Sequence, residues 1–406
     1  MRSAPHGVDL YRMGAMNPQI FTWARETAGL SLEQGATAIG LNDAFGKKGA
    51  ERLAEIEAGA DQPSPSQLSR MAKAYRRSLL VFYLSSPPRA GDRGQDFRKV
   101  RDSQRLPYDA NLDALLRDVK SRQDLVSSVL EDLESEPVQF VGSTDMTTPV
   151  ASLARTISKV IGFSLDQFRA AKSSEDAFAY LRSRIESKGV FVLLIGDLGS
   201  HHSKISPDVF RGFAIADRRA PFAIVNDQDA PAARSFTVVH ELAHIWLGNT
   251  GISGGATTAN RTEQYCNDVA AEVLLPSADL NPPALNTLDE MLAYVSTEAQ
   301  KFNLSKAMIA YRLFRRGSIA AAEYHKLAER LQEQWAEYKA RAAAKQRESE
   351  GGPSYYVVRR NRLGPALLDL MRRSLSEGAI TYTKAGRVLG VKPTNVGPLL
   401  RSDGFA

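Results

Sequence analysis

Two histidines four positions apart, with a glutamate directly after the first, form the stretch His240-Glu241-Leu242-Ala243-His244. Imidazole nitrogens bind divalent cations, and a carboxylate beside such a cation can take a proton from an attacking water. The run from Phe236 to Gly248 is apolar around the histidines, contains no proline and ends on a helix-stopping glycine, so it predicts a helix. Side chains four apart on a helix point from one face, which lets His240 and His244 grip a single ion. Glu241 lies about 100° round from His240 by the 3.6-residue period, where it reaches a water at the ion without being a ligand. The competing reading is a buried helix whose histidines bond carbonyls. A third ligand decides between the two.

A catalytic zinc takes three protein ligands and keeps one position open. Downstream, Glu263-Gln-Tyr-Cys-Asn267 leads into Asp268-Val-Ala-Ala-Glu272-Val-Leu-Leu-Pro276, again a predicted helix that stops near the proline. Glu263 and Asn267 share a face, as a metal-binding carboxylate and a polar partner that orients the site. Glu272 is the rival ligand. It lies about 180° round from Glu263, so both cannot face one ion, and its neighbours Ala270, Ala271, Val273 and Leu274 place it beside the core. Glu263 is therefore preferred. The single cysteine, Cys266, reads as packing.

Four segments together carry a family likeness: Arg211-Gly-Phe-Ala-Ile-Ala-Asp217, Pro221-Phe-Ala-Ile-Val-Asn226, the His240–His244 helix, and Glu263-x-x-Cys-Asn267 with Leu274-Leu-Pro276. Over residues 185–280 the chain resembles the ImmA/IrrE metallopeptidases. The resemblance implies zinc held by His240, His244 and Glu263, with Glu241 as general base. It also implies an intracellular endopeptidase that cleaves a helix-turn-helix repressor and relieves repression of stress or mobile-element genes. Zn2+ would lower the pKa of water towards ~7 and polarise the scissile carbonyl. Oxyanion donors are sought among His201, His202, Tyr265 and Arg211, which the sequence does not rank. The alternative is a DNA-binding transcription regulator whose metal site is a sensor or a structural remnant. Glu241 argues for the enzyme, because a structural zinc has no use for a base.

A chain of 406 residues exceeds one ordinary core, so two to four domains are expected. No run approaches ~18 consecutive apolar residues, which excludes a membrane-spanning helix. The first residues lack the apolar core of a secretory signal, and one cysteine excludes an internal disulfide. The expected compartment is the cytoplasm. The net charge of +6 is concentrated at one end. From Gly351 to Ala406 nine basic residues face three acidic ones, nine minus three giving the whole excess. An anionic partner suits that segment; a solvated surface is the plain alternative.

The fold expected is α+β and predominantly helical: a small zincin-like sheet feeding the His-Glu-x-x-His helix, flanked by helix-turn-helix modules. Residues 1–16 read as a disordered leader. Residues 17–88 read as five helices, with capping signals at Ser31-Leu-Glu-Gln34 and at Ser64-Pro65-Ser66-Gln67, the last helix being Leu79–Leu84. This pattern resembles the Cro/repressor type of helix-turn-helix domain. Its recognition helix nevertheless carries Glu51, Glu55 and Glu57 against Arg52, and residues 17–88 hold eight basic and seven acidic residues. Little there would meet phosphates, so protein docking is as well supported as DNA.

Residues 89–149 form a linker (Pro88–Asp96) and a helical brace at Leu112–Leu133 with Leu115, Val119, Leu125 and Val129 inward. The peptidase domain spans 150–285, with strands at Val190–Ile195, Gly212–Ala216 and Phe222–Val225, the last two as a hairpin. Pro221–Asn226 is nominated as the edge strand that pairs with substrate, and the loop Gly248–Ala259 as a cover over the cleft. A helical platform with a helix-turn-helix shape follows at 286–346, then a basic module at 351–406 ending in Thr381–Leu389, Gly390-Val391 and Lys392–Arg401. The expected partners are a protein substrate, a helix-turn-helix repressor, and DNA through either terminal module.

Overall fold

Serine and proline decide where the first helices start. Ser31 Oγ accepts the Gln34 N–H at 3.2 Å while Gln34 Oε1 accepts the Ser31 N–H at 2.9 Å. Ser64 and Gln67 repeat the arrangement at 3.3 and 2.7 Å, with Pro65 as the first helical residue. The computed structural model describes residues 16–44, 46–77, 79–84, 86–87, 110–199, 203–253, 261–348 and 354–401. Among these, residues 16–87 with 110–114 form one unit and residues 115–401 a second. Residues 1–15 of the leader read over 1–16, the linker Pro88–Asp96, His201, His202 and residues 254–259 of the proposed cover lie outside the described residues, whereas Met16 packs against the core of the first unit.

The first unit contains α1 (Pro18–Glu26), α2 (Leu32–Ala38), α3 (Gly49–Glu57) and α4 (Pro65–Ala74). Ile20, Phe21, Leu53, Ile56, Leu68, Met71 and Tyr75 fill its core. The expected fifth helix is a 3₁₀ segment, Leu79–Tyr83. Only Phe82 there is fully buried, stacked on Phe21 at 5.7 Å, while Leu79, Leu80 and Tyr83 are exposed. One anchor holds a turn, not a long helix. The glutamates of α3 work within the unit. Glu51 accepts the Lys48 N–H at 2.9 Å, Glu55 pairs with Lys47, and Glu57 takes both arms of the buried Arg25 at 2.7 and 2.8 Å.

Helix α5 (Ala110–Asp132) buries Leu115, Val119, Val126 and Val129. Val126 rather than Leu125 faces inward, as a continuous i, i+3, i+4 stripe from Val119 requires. Then come α6 (Val150–Ile161), α7 (Leu165–Arg169), α8 (Ser174–Glu186), β1 (Phe191–Leu194), β2 (Gly212–Ile215), β3 (Phe222–Val225), α9 (Pro231–Trp246), β4 (Gly251–Ser253) and α10 (Arg261–Leu274). The sheet order is β1-β3-β2-β4, with β1 parallel to β3 and both other pairs antiparallel.

The β2–β3 hairpin forms as expected, pairing Gly212 with Val225 and Ile215 with Phe222. Pro221–Asn226 is not an edge, however. Strand β3 is flanked on both sides, and all its residues are buried. The edges are β1 and β4, and β4 lies inside the loop read as a cover.

The C-terminal helices are α11 (Leu288–Phe302), α12 (Lys306–Arg315), α13 (Ala321–Glu348), α14 (Tyr355–Leu363), α15 (Pro365–Ser376), α16 (Tyr382–Leu389) and α17 (Pro393–Leu400). The fold is thus α+β and predominantly helical. Among the described residues no helix is long and apolar enough to cross a membrane.

Candidate metal centre

The helix that carries the histidines starts earlier than its apolar run suggests. Pro231 occupies its first turn, so five further residues precede Phe236. Val238, Val239, Leu242, Ala243, Ile245 and Trp246 bury it against the sheet and α10. Its last carbonyls are taken by a neighbouring loop: Ile245 O accepts the Gly142 N–H at 3.1 Å and Trp246 O the Thr144 N–H at 3.3 Å. These bonds satisfy groups that a buried helix end would otherwise leave orphaned. Gly248 then turns the chain at φ +70°, and a Cβ there would stand 3.0 Å from Gly142 Cα. Phe140 stacks on Trp246 at 3.9 Å and closes this end of the core.

His240 and His244 project from one face, their rings edge to face at 4.8 Å and their Nε2 atoms 3.0 Å apart. Glu263, in the first turn of α10, reaches both: Oε2 lies 3.2 Å from His240 Nε2 and Oε1 lies 3.1 Å from His244 Nε2. All three side chains are buried, and their donor atoms lie within 4.8 Å of one another. Asn267, one turn on and on the same face of α10 as Glu263, lies beside His240. The structure therefore brings His240, His244, Glu263 and Asn267 together. Glu272 does not join them. It accepts from Arg312, and from Ser277 at 3.0 Å, on another face of α10.

Burial works against charge at this centre. It pushes the His240 imidazole below its ordinary pKa, favouring the neutral form with a lone pair to give. It would push the Glu263 carboxyl up, but the hydrogen bonds to His240 and His244 outweigh it and hold that carboxyl at about 2. Two imidazoles and one carboxylate converging on one buried point suit a divalent cation, and the set is one zinc accepts.

Glu241 is fully buried on the same helix. Its Oε1 lies against Gly212 of β2, where a Cβ would come within 2.5 Å of that oxygen and 2.7 Å of Thr237 Cγ2. Gly212 therefore makes room for the carboxylate. The helical period did not point to this residue, since the contact joins a strand to a helix far along the chain.

Of the oxyanion donors sought in the sequence, Tyr265 is committed elsewhere: its hydroxyl donates to Thr148 O at 2.7 Å. Arg211 is half exposed, 3.9 Å from Asp229. Asn226, buried at the end of β3, donates to Ile205 O at 3.1 Å and Phe210 O at 3.0 Å and so ties down the segment before β2. Cys266 is buried, and its thiol is pushed well up by that burial, as packing requires.

No curated protein and no solved structure matches the chain. Residues 200–314 do match a family, Peptidase_M78, described as an IrrE N-terminal-like domain. That stretch contains β2, β3, β4, both ligand-bearing helices and α11, and all of α12 but its last residue. The family match and the His-His-Glu cluster together indicate a zincin-like metallopeptidase domain.

Proposed function

We propose that the protein is a zinc-dependent endopeptidase that cleaves a helix-turn-helix transcriptional repressor, relieving repression of stress or mobile-element genes. The observation that carries the hydrolytic reading is the meeting of His240, His244 and Glu263 within 4.8 Å, with Glu241 buried on the same helix. The repressor as substrate rests on the resemblance of residues 185–280 to the ImmA/IrrE peptidases.

His240, His244 and Glu263 would hold the ion through Nε2, Nε2 and the carboxylate, and Asn267 would keep the His240 ring in orientation. When bound, zinc acts as a Lewis acid on the scissile carbonyl and makes water acidic enough to attack at neutral pH. Glu241 takes the proton of the attacking water on its carboxylate and passes it to the amine nitrogen that leaves. Of the two sheet edges, β4 is the one paired with Gly212 beside Glu241, through Ser253, and an extended substrate backbone would add to it as a further strand.

The test uses the zinc-loaded protein and the repressor encoded nearest to it, with cleavage read by mass spectrometry. Wild type should cut the repressor at a defined bond. Glu241→Gln should keep its zinc and lose cleavage, because the ligands remain while the base is gone. Normal cleavage by that variant would overturn the catalytic assignment.

A further inference from the structure

The second unit ends in two short helices, α16 and α17, joined by Gly390-Val391-Lys392. Gly390 adopts φ +61°, a left-handed conformation that turns the chain within three residues. A Cβ at Gly386 would stand 2.8 Å from Val391 O and 3.3 Å from Pro393 N. The start of α17 thus crosses α16 at a distance that glycine accommodates and larger residues do not. Ala385, Val388, Leu389, Val396 and Leu399 bury the inner faces.

Helix α14 locks the pair from behind. The Arg359 guanidinium donates to Leu389 O at 2.6 Å and Gly390 O at 3.1 Å, and Arg360 donates to Leu399 O at 2.9 Å and Arg401 O at 2.6 Å. The result is a rigid helix-turn-helix whose second helix presents its first turn outward, with Lys392 and Thr394 exposed and Asn395 half-buried.

Charge on this face has one sign. From Gly378 to Arg401 the chain carries Lys384, Arg387, Lys392 and Arg401 and no aspartate or glutamate. Lys384 leans towards Asp132 at 3.9 Å, whereas Arg387 and Lys392 line an open groove of about 600 Å3 together with Tyr355, Thr383 and Asn395. The α2–α3 pair of the first unit differs on both counts. Ten residues separate its helices, and α3 carries Glu51, Glu55 and Glu57.

We propose that α16 and α17 dock on double-stranded DNA, the first turn of α17 entering the major groove and Arg387 and Lys392 meeting backbone phosphates. A major groove admits one α-helix, and a short turn holds the preceding helix across the backbone. Phosphate contacts supply the non-specific affinity, and the Asn395 amide offers the paired donor and acceptor that read a base edge. This activity is independent of the peptidase chemistry and would bring the metal centre to a genomic address.

The test measures fluorescence anisotropy of a labelled random-sequence duplex of about 30 base pairs, roughly three helical turns, with the full-length protein across a salt titration. Wild type should bind at low salt, with log affinity falling linearly against log salt concentration. The double variant Arg387→Glu with Lys392→Glu should bind at least about tenfold more weakly and lose about two units of the salt slope, near 0.9 per phosphate contact. Arg387→Lys with Lys392→Arg should retain binding, and unchanged circular dichroism of the glutamate variant separates lost binding from lost folding. Lys47→Glu with Lys48→Glu, in the first unit, should bind like wild type. No binding of the duplex, equal binding by the glutamate double variant, or loss of binding in the Lys47/Lys48 variant would each overturn the proposal.

Discussion

Glu241 and Gly212 meet across a strand and a helix, and the contact constrains both. The carboxylate oxygen occupies the space that any side chain at position 212 would fill. Gly212→Ala must therefore displace Glu241 while leaving His240, His244 and Glu263 where they are. Because misplacing a reacting group by about 1 Å costs as much as 10²-fold, cleavage by this variant should fall by roughly ten- to a hundredfold in kcat. Zinc content, measured by plasma mass spectrometry, should stay at the wild-type level. Loss of zinc alongside activity would instead make Gly212 a structural residue. Cys266 gives a second prediction at this scale. Burial raises its pKa, so the thiol stays protonated through neutral and mildly alkaline pH, and the reactive thiolate is scarce. Iodoacetamide should leave the native protein unlabelled at mildly alkaline pH and label it in guanidinium, as read by intact mass.

Among the elements, a buried ion pair helps to attach α14 and α15 to β1. Arg182 and Glu186 lie one turn apart on α8, 3.0 Å apart and nearly fully buried. Arg182 also donates to Asn361 O at 2.5 Å and to Val192 O, while Glu186 accepts the Ala366 N–H at 3.1 Å. Burial pushes the Glu186 carboxyl up, with Arg182 opposing it. Arg182→Ala would strand that carboxyl and should cost about 3–5 kcal/mol in guanidinium unfolding, whereas Arg182→Met with Glu186→Leu should cost much less. Equal costs would mean that the pair is not what holds these helices. The rest of the local structure shows what short-range signals can and cannot carry. Capping boxes at Ser31 and Ser64, and the face shared by Glu263 and Asn267, were legible because they depend on residues three or four apart. Strand β4 was not, since Gly251-Ile-Ser253 is too short for alternation and exists only because β2 offers an edge. The edge role given to Pro221–Asn226 failed for a related reason: pairing order joins β1 to β3 over a long sequence separation.

At the scale of the whole chain, the charge excess of the last segment overstates what faces solvent. Of its nine basic residues, Arg359 and Arg360 bond carbonyls, Arg362 lies 2.7 Å from both Asp197 and Asp227, Arg372 pairs with Asp369, and the half-buried Lys384 lies 3.9 Å from Asp132. What remains exposed is Arg373, Arg387, Lys392 and Arg401, and the counting of sequence charges could not separate the two sets. The residues of the candidate metal centre, His240, His244 and Glu263, all belong to the second unit. A ligand that binds only the folded state stabilises it by about 2.7 kcal/mol at a hundredfold excess over its Kd. Chelation should accordingly lower the thermal transition of the second unit, followed by tryptophan fluorescence, to which Trp246 and Trp335 of that unit contribute, and a His244→Ala protein should show no such shift.

The most direct measurement is zinc K-edge X-ray absorption on the purified protein with its metal quantified. One zinc per chain, with two imidazole shells, light-atom ligands only and no sulfur, is the expected result, and Glu263→Ala should reduce zinc occupancy while Cys266→Ser leaves the spectrum unchanged. A sulfur scatterer, or an unaltered spectrum at full occupancy in Glu263→Ala, would contradict the centre formed by His240, His244 and Glu263.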